Sequence, residues 1–283
     1  MIAITGATGQ LGRLVIDELL KKMPANALIA AVRSPEKAAD LAALGITVRA
    51  ADYNQPATLA QAFHGVEKLL LISSSEIGQR EAQHRAVIDA AKTAGVQFIA
   101  YTSLLHADTS PLGLAAEHVA TEALLRASGI PFTLLRNGWY TENYAASIPP
   151  ALAHSAFLGA AGEGRIASAA RVDYAAAAAA VIAGDHHAGK IYELAGDESY
   201  SLAEFSAEIA RQSGQQVHYV NLPPAEFEAA LKGAGLPDPV AALLADSDAG
   251  AAQGGLFDDS HTLSQLIGRP TTPFATVIRE TLA

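Results

Sequence analysis

A chain of 283 residues that is half hydrophobic and 17% charged can bury a full core and has the opposite of a disordered composition. Its net charge of −10 and its 19 scattered basic residues exclude a phosphate-neutralising nucleic-acid surface, and no apolar run approaches the ~20 residues of a bilayer span. With no cysteine and a strand-like run in place of a charged leader, the chain reads as a soluble cytoplasmic protein without disulfide or thiol chemistry.

The first strand reads at residues 2–5, and the stretch GATGQLG at 6–12 follows it and opens a helix at 11–22. In that setting the first glycine makes a tight turn, the second lets backbone approach a pyrophosphate, and the third lets helix and strand pack. The helix start adds unpaired N–H groups and a positive dipole end. Gly6, Ala7, Thr8, Gly9, Gln10, Leu11 and Gly12 therefore form the expected dinucleotide cradle. The second strand, 27–32, runs into Arg33, where an NAD-selective site would carry an acid to hold the ribose hydroxyls. A guanidinium instead suits a 2′-phosphate, so NADPH is the expected cofactor, with NADH as the alternative.

Further strands at 47–50, 68–73, 98–102 and 132–135 alternate with helical patterns at 36–44, 58–63, 77–94 and 114–128. Gly45, Gly95 and Gly129 stand where left-handed helix caps belong. The alternation predicts α/β architecture, a Rossmann-type doubly wound parallel sheet, whose ligands lie along the carboxyl edge. Residues just past the strand ends are thus cofactor candidates: Asp52 for the adenine amine, then Ser73, Ser74 and Ser75, Thr102 with Ser103, and Arg136, Asn137 and Gly138.

Beyond residue 145 the alternation fades into an extended stretch at 165–168, an alanine-rich helix at 174–183 and a strand at 191–195. A helix at 202–213, an extended stretch at 217–221, a helix at 225–233 and an Asp- and Gly-rich loop at 246–259 complete it. The expected organisation is an NADP-binding domain at 1–150 and a smaller C-terminal α/β cap at 151–283, with parts of 165–195 returning to the main sheet. Nine histidines show no H-E-x-x-H spacing, and no metal is expected.

These features resemble the NmrA-like group of atypical short-chain dehydrogenase/reductases, nearest its bacterial NAD(P)H:quinone oxidoreductase branch, with triphenylmethane dye reductases as relatives. The resemblance spans essentially the whole chain. It is carried by GATGQLG at 6–12, AVRSPEKA at 31–38, VRAADYNQP at 48–56, KLLLISSS at 68–75 and FIAYTSLLHADTSPLGLA at 98–115. FTLLRNGWYTENY at 132–144, KIYELAG at 190–196 and LFDDSHTLSQLIGRP at 256–270 extend it. It implies a two-electron reduction of a small-molecule quinone by NADPH without flavin or metal, in a monomer or weak homo-oligomer with no membrane or nucleic-acid partner.

The wider superfamily carries Tyr-x-x-x-Lys on the helix after the fifth strand, followed four residues later by a glutamate in its extended branch. With Glu122 as that glutamate, the lysine position holds His118 and the tyrosine position Leu114, so the usual proton donor is missing. Hydride delivery to a ketone makes an alkoxide of pKa ~16, whereas delivery to a quinone makes a phenolate-like anion of pKa ~10. That gap of ~6 units is worth ~8 kcal/mol, so an electrophilic acceptor can be reduced by positioning alone.

The slot for such an acceptor falls on NGWYTENYAAS, with Trp139, Tyr140 and Tyr144 as walls. Asn137 is assigned to the nicotinamide ribose or carboxamide, and Asn143 and Ser147 to quinone oxygens. His118 is a secondary proton-donor candidate. The competing readings are a non-catalytic NADP(H)-sensing regulator and a reductase of triphenylmethane dyes or other xenobiotics.

Overall fold

A strand covered on both faces has no use for polar alternation, and the short aliphatic runs of this chain become its central strands. The computed structural model describes residues 1–283. Six strands come first: β1 (Ile2–Thr5), β2 (Leu28–Val32), β3 (Thr47–Ala50), β4 (Lys68–Leu71), β5 (Phe98–Leu104) and β6 (Phe132–Asn137). Then come β7 (Ala156–Gly159), β8 (Ile191–Leu194) and β9 (His218–Asn221). Seven of them form one sheet in the order β3-β2-β1-β4-β5-β6-β8, and β7 pairs in parallel with β9. The pairings of β1 with β2 and β4, of β2 with β3, and of β4 with β5 are all parallel. This is the doubly wound order of dinucleotide-binding folds.

The helices of the first half are α1 (Gln10–Leu20), α2 (Ala39–Ala43), α3 (Pro56–Ala62), α4 (Arg80–Ala94) and α5 (Ala115–Ser128). They are followed by α6 (Thr141–Ala145), α7 (Ile148–His154), α8 (Arg171–Ala183) and α9 (Leu202–Ser213). The last four are α10 (Pro224–Gly233), α11 (Asp238–Ala252), α12 (Thr262–Ile267) and α13 (Phe274–Leu282). The chain forms two compact units, one of Met1–Leu104, Ala116–Arg136 and Tyr174–Tyr192, the other of Leu105–Ala115, Asn137–Asp173 and Glu193–Ala283.

In the first unit, α1 buries Leu11, Val15, Ile16 and Leu19, spaced at three to four residues along one face. Each such side chain contributes about 1.5–3 kcal/mol on leaving water. A second core layer joins Ile29, Leu69, Ile99 and Leu134 of the strands to Leu59, Val87 and Leu125 of the helices. Gly45, Gly95 and Gly129 adopt φ of +90°, +77° and +78° at their helix ends.

Several boundaries differ from the periodic reading. Residues 25–27 form a 3-10 turn, so β2 starts at Leu28, and the helix read at 36–44 splits into a 3-10 turn at Pro35–Ala38 and the short α2. The strand read at 68–73 stops at Leu71, because side chains take over the next backbone donors. Ile72 N–H donates to Thr5 Oγ1 at 3.0 Å and Ser73 N–H to Thr102 Oγ1 at 2.8 Å. The helix read from 77 begins at Arg80, and the Gly78 N–H before it donates to Glu117 Oε1 at 2.9 Å.

The ends of β5 and β6 are tied by a buried carboxylate. Glu122 on α5, 1% exposed, receives Arg136 through Nε at 2.9 Å and Nη2 at 2.8 Å, Ser103 Oγ at 2.7 Å and Arg126 Nη2 at 3.1 Å. Burial alone would raise its pKa, but these charge-assisted hydrogen bonds outweigh burial and hold it below the usual glutamate value.

The second unit is organised by aromatic rings. Phe205 meets Tyr144, Phe157, Tyr200 and Phe274 with centroids 6.0, 5.5, 5.3 and 5.9 Å apart. Helix α9 starts in a capping box of Ser201 and Glu204. The stretch at 165–168 is not a strand; it holds only an isolated bridge from Ile166 to Tyr200. The loop read at 246–259 is likewise corrected. Helix α11 runs through Ala252, and its small residues Ala241, Ala245, Gly250 and Ala251 are buried with Ser247 and Asp248.

Removing one partner from a buried ion pair strands the other. Glu122→Gln is therefore expected to lower unfolding free energy by about 3 kcal/mol, measured by denaturant titration near neutral pH. Because the folded pKa lies below the unfolded one, this contribution is complete above the ordinary glutamate range and fades as pH falls through the lowered value. The variant should lose less stability than the parent on acidification.

Candidate functional site

The turn after β1 places backbone where a side chain would not fit. Gly6 has φ of +60°, and Gly9 N–H donates to Gly6 O at 2.9 Å. A Cβ on Gly12 would lie 2.3 Å from Gly6 O and 2.8 Å from the Ala7 Cα, so α1 can start this close to the turn only with glycine there. The first turn of α1 carries no acid, leaving its amides and dipole unopposed toward an anion.

Around this turn lies a cavity of about 380 Å³. Of the sequence candidates it gathers Gly6, Thr8, Gly9, Gln10, Leu11, Gly12, Arg33, Asp52, Ser73, Ser74 and Ser75. Ala7 is fully buried and is not part of the lining, and Thr102 reaches it only through its bond to Ser73. Sequence reasoning missed Ser34, Lys37, Tyr53, Asn54, Glu76 and Gln83, which also line it. Lys37 follows Arg33 by one turn and was legible as a second cation. Gln83 gave no signal, being one polar residue within a helical pattern.

Charge and hydrogen bonding on the wall are specific. Arg33 Nη1 donates to Glu76 Oε1 at 2.8 Å, and Gln83 Nε2 donates to Glu76 Oε2 at 2.8 Å. Both oxygens of Asp52 are engaged, one by Asn54 N–H and the other by Gln55 Nε2, each at 2.9 Å. Tyr53 donates its hydroxyl to Ile72 O at 3.2 Å, and burial pushes its pKa up to about 12. The serine segment is anchored from behind. Ser74 N–H donates to His84 Nε2 at 2.9 Å, while Nδ1 of that ring lies 2.9 Å from Thr121 Oγ1. Thr121 itself donates to Glu117 O, so His84 carries its proton on Nδ1.

His118 is 5% exposed, with Nδ1 2.7 Å from the Tyr101 hydroxyl. Burial, reinforced by the Arg80 cation, lowers His84 and His118 to about 3. Both are neutral near pH 7, and a neutral imidazole has no readily lost proton to give.

The remaining candidates lie in the second unit. Asn137 is 6% exposed and its Oδ1 is buried with no partner, while its amide is hydrogen-bonded to the Tyr140 hydroxyl. The Tyr140 ring lies 4.6 Å from the Arg171 guanidinium. Asn143 on α6 and Ser147 at the start of α7 are half-buried, four residues apart. Trp139 is buried, and Tyr144 turns its hydroxyl to Asp248 Oδ1 at 3.0 Å. Burial pushes Asp248 up to about 6 despite hydrogen bonds from Ala160 N–H and Tyr144.

Comparison with known proteins agrees with this geometry. Residues 6–184 match the model of an NAD(P)H-binding family. The chain is 66% identical to quinone oxidoreductase 2 of Escherichia coli (strain K12) over 97% of this chain and 96% of that one. It superposes on the crystal structure of an NADPH-dependent quinone oxidoreductase from Escherichia coli complexed with NADPH, with a TM-score of 0.98, 64% identity and full coverage of both chains. The Citrobacter sp. triphenylmethane reductase complexed with NADP(H) matches with a TM-score of 0.95 and 38% identity over 99% of this chain and 100% of that one. No helix is long and apolar enough to cross a membrane. With its glycine turn, its parallel sheet and a likeness that runs from end to end, the chain belongs to the NmrA-like NAD(P)H-binding family.

Proposed function

We propose that this chain reduces quinones by direct hydride transfer from NADPH. The observation that carries the reading is full-length likeness, at 66% identity, to a quinone oxidoreductase, in a chain whose cavity sets Arg33 and Lys37 beside an acid-free helix start. The residues fit the dinucleotide. The glycine turn and the amides of α1 would hold its pyrophosphate, and Arg33 and Lys37 its 2′-phosphate. Ser73, Ser74 and Ser75 leave room for it to run close to backbone. Bound there, the reduced nicotinamide supplies two electrons as a hydride, and the quinone with one further proton becomes the hydroquinone.

The protein's own part is positioning. Asn137 would present its unpartnered buried oxygen to the carboxamide or ribose of the nicotinamide half, with its amide fixed by Tyr140. Asn143 and Ser147 would bind the quinone oxygens, and Trp139 and Tyr140 would wall the ring. His118, neutral and bonded to Tyr101, serves packing in this reading rather than proton donation. A phenolate-like product of pKa ~10 takes its proton from water without a dedicated acid. The likeness to a triphenylmethane reductase at 38% identity favours a wider acceptor range that includes cationic dyes, reduced by the same positioning. A cytoplasmic setting, a small-molecule acceptor without nucleic acid, and a monomer or weak homo-oligomer complete the proposal.

Purified protein mixed with NADPH and a small benzoquinone should consume the nicotinamide absorbance in a protein-dependent way. Binding of NADPH without consumption would instead favour the sensor reading. Arg33→Ala should weaken NADPH about tenfold and NADH much less, as an exposed charge-assisted contact allows; equal weakening would remove Arg33 as the reader of the phosphate. Asn143→Ala should raise the quinone KM or lower kcat about tenfold with NADPH affinity unchanged, the loss of one hydrogen bond. Kinetics indistinguishable from the parent would place Asn143 outside the slot.

A further inference from the structure

One arginine of the second unit is matched by no acid. Residues 169–171 run beside 139–141: Thr141 N–H donates to Ala169 O at 3.0 Å, Ala169 N–H donates to Trp139 O at 3.1 Å, and Tyr140 and Ala169 form a parallel bridge. That register sets Arg171, the first residue of α8, against Tyr140, and its guanidinium lies 4.6 Å from the centre of the ring. The ring is itself fixed, its hydroxyl bonded to the Asn137 side chain. A guanidinium stacked on an aromatic face keeps its N–H edge free to bond outward. The carboxylates near it in sequence are engaged elsewhere. Both oxygens of Glu142 receive the Arg171 backbone N–H, at 2.8 and 3.1 Å, and so cap the start of α8. Asp173 receives Thr272 and Arg269. The half-buried guanidinium of Arg171 thus has no ion pair or hydrogen bond within the protein.

Quinone reduction makes the group that this cation lacks. The hydride leaves the nicotinamide with both electrons of its C–H bond and bonds to the quinone, and a π pair of the quinone moves onto an oxygen. The products are oxidised nicotinamide and a hydroquinone monoanion, which takes one proton from water. A cationic dye undergoes the same transfer with a different change of charge, since the hydride neutralises it and no oxyanion forms. A half-desolvated cation beside the acceptor therefore favours the first reaction, and it opposes the second by repelling the bound dye. We propose that Arg171 holds the oxyanion of the hydroquinone monoanion at the wall formed by Tyr140, and so ranks quinones above cationic dyes as acceptors. The proposal rests on the quinone-reductase reading and on Tyr140 lining the slot.

Two measurements test it. The first needs no turnover: a nitrophenol, standing in for the monoanion, is titrated by its phenolate absorbance with the protein and NADP⁺ present. Bound to the parent and displaced by benzoquinone, it should ionise about one pH unit below the free phenol, because an opposite charge favours the phenolate. In Arg171→Met that shift should vanish, with NADPH affinity unchanged. The second measurement is kinetic. Arg171→Met should lower kcat/KM for a small benzoquinone about tenfold, the scale of one charge-assisted hydrogen bond, and should leave or raise that for a cationic triphenylmethane dye. Arg171→Lys keeps the charge and should retain most of the preference between the two acceptors. Arg171→Gln takes the place of Arg171→Met if the latter fails to fold by circular dichroism. A nitrophenol that is unshifted in the parent, or that benzoquinone does not displace, would overturn the proposal, as would equal losses with both acceptors in the uncharged variant. Failure of the parent to reduce any quinone would instead remove the reading on which the proposal rests.

Discussion

The cavity around the turn after β1 depends on one steric constraint, the approach of Gly12 to the carbonyl of Gly6. Without a Cβ at residue 12, α1 starts directly against the turn leaving β1, and its first amides face the mouth of the sheet. The buried face of α1 then fixes its axis over the strands, so the helix end and the strand ends keep a constant spacing. In the proposed reading the binding surface here is backbone, and its precision comes from packing rather than from side-chain reach.

The opposite wall is shaped by a substitution of partners. At the end of β4 the backbone donors of Ile72, Ser73 and Ser74 leave the ladder and go to Thr5, Thr102 and His84. The sheet opens without leaving orphaned amides, and three small serines follow the break. The arrangement requires His84 uncharged, and its burial beside Arg80 secures that state.

The parts of the fold that rest on local chemistry were legible in the sequence. The glycine turn, the aliphatic strands and the cation after β2 each follow from what a few adjacent residues can do. What escaped depends on distant partners. The 246–259 stretch is rich in residues that usually make loops, yet Ala241, Ala245, Gly250 and Ala251 let α11 pack closely and stay helical through Ala252. The end of β4 moved because Thr5 and Thr102 stand on other strands. Gln83 joins the cavity wall through Glu76, just ahead of α4, and through Asn54, which follows β3 and is out of sight of a local reading. Of the second unit, Tyr144 was read as a wall, while its tie to Asp248 could not be seen across a hundred residues.

The Arg33–Glu76 pair has a kinetic side as well. With the guanidinium already matched by a carboxylate, and with a net charge of −10 overall, the rim offers an approaching polyphosphate little long-range attraction. Capture then gains nothing from steering, and salt speeds it by screening the repulsion between two negatively charged partners. In the proposed reading, discrimination between phosphorylated and plain dinucleotides comes after encounter, as the phosphate takes the place of Glu76 beside Arg33, and is expressed in how slowly the bound molecule leaves.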